Sequence, residues 1–483
     1  METEKPRIIF RADGDSRIGL GHVFRMAGLA EMLKPFARVE LFTISDLQRI
    51  PGDQLEVFDA IVHVEEPGGV PDAWIHLIRS SYTVVTDGYS FHENYQKKIA
   101  LVCHRLVMLD DYHPYSFFAD VVINIAVGKV EDAYHGQWYT HFLFGFEYAL
   151  LRNPFRQAAQ RNLTSNRNGI FVCLGGADPE NIILDIVFQL RKRFPEKSIE
   201  AVLGSAYLHT VDFLNTYKLD DKVNIHQGLN ATQMVNLMSS VEFGVCSSST
   251  IAYEFLCCHE KLAIVQTAEN QKHLYDYLVD ARMAVRWEEV LQEQAFGINQ
   301  NILEKRQAML SFSYADYFQK LFEHREFHLE LASAADVKLY FDWANEPATR
   351  AQSFNSNPIP WSDHVSWFEK NIVSEHHVFL KFCENGKPVG QLRFSIEDGH
   401  WLINYSLDVQ VRGRGLSELI LRMACRYATL SGRTNLLMGY VKPDNIPSLK
   451  AFRKCGFREE IRKQNGNDVI CFQMDLSPNF RSI

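Results

Sequence analysis

Four short segments hold residues whose types and spacing could do chemistry. The first is RADGDSRIGLGHVFRMAGLAEML (11–33). Gly14, Gly19 and Gly21 let the backbone approach a ligand closely, and His22 stands where the loop becomes a helix, flanked by Asp13 and Arg25. A helix N-terminus offers free N–H groups and partial positive charge, which suits an anion. An imidazole there can take a proton from water. The spacing is not G-x-G-x-x-G, so it does not predict a dinucleotide site, and a capping loop with a surface histidine fits it equally.

Three further loops follow strand-like runs in the middle of the chain. LGGADPEN (174–181) pairs Gly175 and Gly176 ahead of a helix that Pro179 helps to start. CSSSTIAYE (246–254) places Ser249 and Thr250 at a strand end, with Glu254 one helical turn on. AENQKHLYDYL (268–278) puts Asn270 and Gln271 at the next helix start. Hydroxyls and amides of this kind can hold a diphosphate, and Glu254 can accept from ribose hydroxyls. Each loop alone reads as an N-cap; in series on consecutive α/β strands they converge on one sheet edge. Near the C-terminus, LDVQVRGRGLSELIL (407–421) carries Gln410, Gly413, Arg414 and Gly415 between a strand ending in Leu407 to Val409 and a helix. That arrangement wraps a pyrophosphate, and the strand's amides can polarise a thioester carbonyl. Asn445 opens a later helix that closes on Gly456-Phe457.

The elements that must position these residues come from periodicity. Apolar runs near 7–12, 39–42, 60–64, 83–86, 105–109 and 121–125 alternate with helical or loop segments, and the pattern restarts at 169 after a polar stretch, 152–169, that reads as a linker. Such alternation predicts mostly parallel sheets covered on both faces. From about 325 the pattern changes to a meander with N-G and D-G turns, a helix over 414–431 and two final strands. The fold class is therefore α/β: two Rossmann-like halves, 1–160 and 161–320, followed by a domain at 325–483 with a mixed, largely antiparallel sheet.

Composition bounds the rest. The 483 residues suggest about three domains. The apolar fraction of 46% and charged fraction of 23% exclude a disordered or fibrous chain as the main theme. A net charge of −9 argues against nucleic acid as a partner. Nine scattered cysteines without a C-x-x-C pair, no leader-like start and no long apolar run suggest a cytoplasmic protein with no membrane partner. No His-x-His set points to a metal, and no metal is expected. Oligomeric state is not readable.

The 11–33 loop, Asp87–Tyr89, CLGGADPEN, SSSTIAYE and AENQKHL together resemble the UDP-sugar hydrolases of pseudaminic acid biosynthesis, over about residues 7–320. That resemblance implies a GT-B-type pair of lobes that releases UDP from UDP-2,4-diacetamido-2,4,6-trideoxy-β-L-altropyranose, with inversion, water as acceptor and no metal. It implies His22 as the base, Tyr89 and Asn270 as further catalytic groups, and Gln271 on sugar or phosphate. Asp13, Gly19, Gly21, Arg25, Gly175, Gly176, Ser249, Thr250 and Glu254 would complete the UDP-sugar site. The last 155 or so residues resemble GNAT acetyltransferases, and DWANEPATRAQSFNSNPIPWSDHVSWFEK (342–370) is similar to nucleotide-sugar N-acetyltransferases. This implies acetyl-CoA as co-substrate, held by Leu407, Val409, Gln410, Gly413, Arg414, Gly415 and Asn445, and a UDP-linked 4-amino sugar as acceptor. Many GNAT enzymes protonate the leaving thiolate with a tyrosine where this chain has Phe452. A glycosyltransferase with an attached acetyltransferase, and a non-catalytic protein binding nucleotide sugar and CoA, are the rival readings.

Overall fold

The structure is a computed structural model and describes residues 5–14, 20–50, 52–65, 73–111, 115–125, 133–161, 167–175, 178–204, 207–217, 220–292, 300–397, 399–464 and 467–477. Its first sheet is built from β1 (Arg7–Ala12), β2 (Arg38–Thr43), β3 (Ala60–His63), β4 (Thr83–Asp87), β5 (Arg105–Leu109), β6 (Val121–Asn124) and β7 (His141–Phe144). Their order is β3-β2-β1-β4-β5-β6-β7, and every pairing is parallel. β1, β2 and β4 are buried on nearly every residue, which is why they read as continuous apolar runs rather than as alternation.

The second sheet comprises β8 (Ile170–Cys173), β9 (Ile199–Leu203), β10 (Val223–Gln227), β11 (Phe243–Ser247), β12 (Leu262–Val265) and β13 (Val285–Arg286). It is also parallel, in the order β10-β9-β8-β11-β12-β13. The third is mixed: β14 (Phe327–Leu331), β15 (His377–Glu384), β16 (Lys387–Glu397), β17 (His400–Leu407), β18 (Leu436–Val441), β19 (Arg458–Gln464) and β20 (Asn467–Asp475), ordered β14-β15-β16-β17-β18-β20-β19. All its pairings are antiparallel except β17 with β18.

The stretch expected as a linker differs in the structure. Asn153–Ala159 is a helix, with Pro154 near its start and Phe155, Ala158 and Ala159 buried. Those three positions fall on one helical face, so a short polar-looking segment still packs. It rests on the helices Ala231–Ser240 and Thr250–Cys258 and joins the first two sheets. The helix Tyr314–Leu321 returns to the first sheet's helix Gly21–Leu33, and the Tyr314 hydroxyl donates to the Tyr148 carbonyl at 2.7 Å. One apolar core runs through both parallel sheets, from Phe10 to Tyr253. Among the described residues no helix is long and apolar enough to cross a membrane.

The third sheet is attached to the first through the helix Leu416–Ser431. Arg426 donates to the Ala100 carbonyl at 2.9 Å and to Asp120 Oδ2 at 3.0 Å, and Trp138 Nε1 donates to Thr429 Oγ1 at 3.1 Å. Burial would raise the Asp120 carboxyl, but Arg426 and Arg105 outweigh it and hold it below its ordinary range. Replacing Arg426 by Ala leaves a buried carboxylate with Arg105 as its remaining cation, 3.6 Å away. The expected cost is about 3 kcal/mol, the lower end for breaking a buried pair. Denaturant unfolding reads this directly. In the wild type the contribution of Asp120 is complete above the ordinary carboxylate range and is lost as pH falls through its depressed value, so the joint should loosen only in acid.

Candidate functional site

Strand order places the first cluster. Connections leave β1 toward β2 and β3 on one side, and β4 begins the run on the other, so the loops after β1 and β4 meet where the order reverses. His22 and Arg25 lie one turn apart on the helix that follows β1, and Asp87 is the last residue of β4. All three are buried; His22 is 5% exposed. His22 Nδ1 lies 2.7 Å from Asp87 Oδ1. Arg25 donates from Nε and Nη2 to Asp87, at 3.0 and 2.8 Å, and from Nη1 and Nη2 to Asp111, at 2.7 and 2.9 Å.

This geometry fixes the imidazole tautomer. A carboxylate only accepts, so the short His22–Asp87 contact requires Nδ1 to carry the hydrogen. Arg25 Nη2 also sits 2.9 Å from Nδ1, but both of its hydrogens are already directed at carboxylates. In the neutral ring this leaves the lone pair on Nε2. Burial opposes the charge on Arg25, yet Asp111 and Asp87 raise it well above the ordinary value; burial also opposes the Asp111 carboxylate, which Arg25 nevertheless holds low.

A cavity of about 20 Å³ opens beside the imidazole, walled by His22, Asp87, Tyr89, Asp110, Asp111 and Tyr115. That volume admits a water molecule. The Tyr89 ring meets the His22 ring edge-on at 5.1 Å and is 46% exposed, so it forms the solvent side of the cavity. Asp13 faces another way. Its carboxylate accepts from Arg11, Thr43 and the Ile44 amide and braces the loop against β2. Space above Gly21 is open. Gly19 lies outside the described residues.

The second switch lies between β8 and β11, and the three middle loops do converge there. Gly175 has φ +88°, and a Cβ on it would come within 3.5 Å of Ser247 Oγ and 3.7 Å of Ser249 Oγ. Ser247 and Ser249 share a hydrogen bond at 2.9 Å. Gln271 Oε1 accepts from the Thr267 amide at 2.8 Å, with Ser248 Oγ 3.4 Å away. Ser249 caps the helix Thr250–Cys258 without a side-chain hydrogen bond, so that N-terminus stays open to an anion. Gly176 and the side chain of Asn270 lie outside the described residues.

The sequence reading gives Glu254 to ribose, but its carboxylate is buried against Arg152, 2.6 Å away. Burial raises this carboxyl despite the arginine. Glu254 thus ties the helix to the segment joining the two sheets. Tyr253 on the same helix is fully buried and close enough to Asp111 and Arg25 to feel their charge, so the two switch points sit against each other across this helix.

In the third sheet, β17 and β18 pair only through Trp401–Leu437 and Leu402–Met438. Beyond Leu402 the strands separate, and the β17 edge from Ile403 to Leu407 has no ladder partner on that side. Asp408 then caps the Val409–Val411 turn through the Gln410 amide, and Gly413 and Gly415 both take φ +79°, which an L side chain resists. The helix Leu416–Ser431 starts from Gly415 with no side-chain cap. Open strand edge, glycine turn and free helix N-terminus form one continuous donor surface. Arg414 pairs with Glu384 at its rim, and Asn445 caps the helix Ile446–Lys454 through the Ser448 amide.

Phe452 is buried, and the Tyr405 ring lies 6.2 Å from it, with its hydroxyl directed at Ser448 Oγ, 3.4 Å away. Sequence reading named Asp87 only within the resemblance and did not single out Tyr405, Asp111 or Arg152. Among the described residues His328, Glu330 and Cys383 group closely enough to hold a metal ion, with Lys381 3.5 Å from Glu330 competing for it.

Residues 327–458 match the acetyltransferase (GNAT) domain family model. An uncharacterized protein of Methanocaldococcus jannaschii is 24% identical, covering 96% of this chain and 99% of its own length. The UDP-2,4-diacetamido-2,4,6-trideoxy-beta-L-altropyranose hydrolase of Campylobacter jejuni is 25% identical over 56% of this chain and 96% of its own. The spore coat polysaccharide biosynthesis protein SpsG of Bacillus subtilis is 25% identical over 54% of this chain and 77% of its own. The chain therefore joins, in one polypeptide, two Rossmann-like halves, a stretch similar to that hydrolase and to SpsG over about half of its length, and a C-terminal segment that matches the GNAT domain model.

Proposed function

We propose that the protein is a bifunctional nucleotide-sugar enzyme. Its GNAT domain acetylates the amine of a UDP-linked 4-amino sugar with acetyl-CoA, and its first two sheets hydrolyse the resulting UDP-2,4-diacetamido-2,4,6-trideoxy sugar to release UDP. The observation that carries the hydrolytic reading is the His22–Asp87 pair, because it leaves Nε2 as an acceptor on a cavity sized for water. Water held there loses a proton to Nε2 as its oxygen attacks the anomeric carbon, giving inversion. The imidazolium so formed is stabilised by Asp87. The leaving diphosphate is received by the Gly175 loop, Ser249, Thr250 and the uncapped helix start, whose dipoles are in place before charge develops. A C-terminal acetyl site fits the same scheme. The amine nitrogen attacks the thioester carbonyl, the C–S bond breaks, the nitrogen gives up a proton to water, and the thiolate takes a proton. Phe452 has none to give. Tyr405 is the phenol beside it, on the open strand edge, and burial raises its hydroxyl, which remains protonated and able to donate.

Incubation with the diacetamido UDP-sugar and no sugar acceptor should release UDP with first-order kinetics; no release under those conditions sinks the hydrolytic reading. His22→Ala should slow release by about 10²–10⁴-fold, the usual contribution of a positioned base, while UDP binding measured by calorimetry holds. Asp87→Asn should give a smaller loss in kcat with KM little changed, since the ring stays in place but its tautomer is no longer imposed. In the GNAT domain, Tyr405→Phe should lower kcat for acetyl transfer and weaken its dependence on high pH, with acetyl-CoA affinity retained. Unaltered kcat would remove Tyr405 from the proton path.

A further inference from the structure

The third sheet holds a cavity of about 380 Å³ whose lining includes none of the residues named above for acetyl-CoA. It falls in the size range of small-molecule sites. Tyr340, Asp363, His364, Trp367, Gln391 and Arg393 line it. Its polar groups are unusual in what they lack. The Arg393 guanidinium stacks over the Trp367 ring at 4.8 Å, and among the described residues no carboxylate lies within ion-pair distance of it. Arg350 adds a second positive field, and its own hydrogen bonds go to Ser353 Oγ and the Asn357 carbonyl rather than to an acid. Burial pushes Arg393 down to about 10, against the pull of Tyr340, so it stays charged at neutral pH. Gln391 is 4% exposed; its Nε2 donates to Ser406 Oγ at 3.0 Å while its Oε1 has no partner. An exposed carboxylate, Asp363, lies on the same cavity without pairing to Arg393.

A half-buried cation without an acid partner and a buried carbonyl without a donor are each costly unless a ligand completes them. A cavity that keeps one positive and one negative group apart matches a ligand carrying both charges. The location agrees. Gln391 sits on β16 opposite Ser406, one residue before Leu407 at the open end of β17. The helix Val337–Asn345, which supplies Tyr340, is fastened to the acetyl-CoA turn by Trp343 Nε1 donating to Asp408 at 3.0 Å.

We propose that this cavity is the acceptor site of the acetyltransferase and that Arg393 selects amines carrying a phosphate group. Arg393 meets the phosphate, Asp363 the ammonium, and Gln391 Oε1 an N–H or O–H of the sugar between them. This rests on the reading that the domain acetylates a nucleotide-linked amino sugar, so the test has two arms that fail separately.

The first arm uses UDP as the probe and the full chain saturated with CoA. Wild type should bind two UDP per chain by calorimetry and Arg393→Ala one, with CoA affinity unchanged as the check that the domain is folded. The second arm follows acetyl transfer to the UDP-linked 4-amino sugar and to the same amino sugar freed of its nucleotide. Arg393→Ala should raise KM for the UDP-linked amine about ten- to hundred-fold and leave KM for acetyl-CoA and for the free amine near wild type. Arg393→Lys should recover part of the loss, because it restores charge without the planar stacked fork. Equal UDP stoichiometry in wild type and Arg393→Ala, or an equal KM rise for both amines, overturns the proposal. Loss of one UDP with no transfer to the UDP-linked amine in wild type would keep the phosphate site and discard the acceptor reading.

Discussion

One buried carboxylate organises the N-terminal site. Asp87 accepts from His22 with one oxygen and from Arg25 with both. Without Arg25 the Asp87 carboxylate would lose two of its donors and would orient the imidazole less firmly. Without Asp87 the ring could present either nitrogen to the cavity. Asp111 then closes the account on the far side of Arg25, so that two carboxylates enclose one guanidinium. The cluster therefore carries an excess of negative charge. On the proposed function that charge repels the diphosphate, and the open helix start at Thr250 is the place that would receive it.

That division of labour follows from topology. In both parallel sheets the strand order reverses at the centre, and the loops flanking the reversal end up side by side at the carboxyl edge. In the proposed hydrolysis the first sheet supplies the base there and the second supplies uncapped amides and hydroxyls. The helix Thr250–Cys258 links them. Its first turn faces the phosphate loops, Tyr253 reaches the first sheet's core, and Glu254 grips Arg152 on the joining segment. A glutamate that reads as a ribose ligand is thus better understood as a strut that sets the distance between the two halves.

Much of this was legible because parallel strands are buried on both faces and announce themselves as apolar runs, with glycines and hydroxyls where they end. The middle loops were legible for the same reason, and Gly175, Ser249 and Gln271 meet as their order along the chain predicts. What the sequence could not show is which side chains find one another over long separations. His22 and Asp87 are 65 residues apart, and Arg152 and Glu254 are 102. Nothing local distinguishes an aspartate that ends a strand in a loop from one that anchors a base. The segment 152–169 misled for a related reason. Its apolar residues number only a few, and their packing on one face depends on two helices that come much later in the chain. Tyr405 was invisible because an alternating strand gives no sign that its neighbour will splay away.

The same helix serves both chemistries. Leu416–Ser431 presents its N-terminus to the acetyl-CoA turn, and ten residues later Arg426 locks it to Ala100 and Asp120 of the first sheet. Trp138 adds a second attachment at Thr429, and Leu430 is built into the first sheet's own core. A flexible linker would have let the acetyltransferase wander, and its product would meet the hydrolytic site only through diffusion. A helix anchored by a buried ion pair and apolar packing instead fixes the distance and orientation between acetyl-transfer turn and His22 cavity. Fixed geometry does not by itself pass an intermediate across. On the proposed function, an amide formed in one place would be released at constant distance from a site whose leaving-group loops would receive the uridine diphosphate.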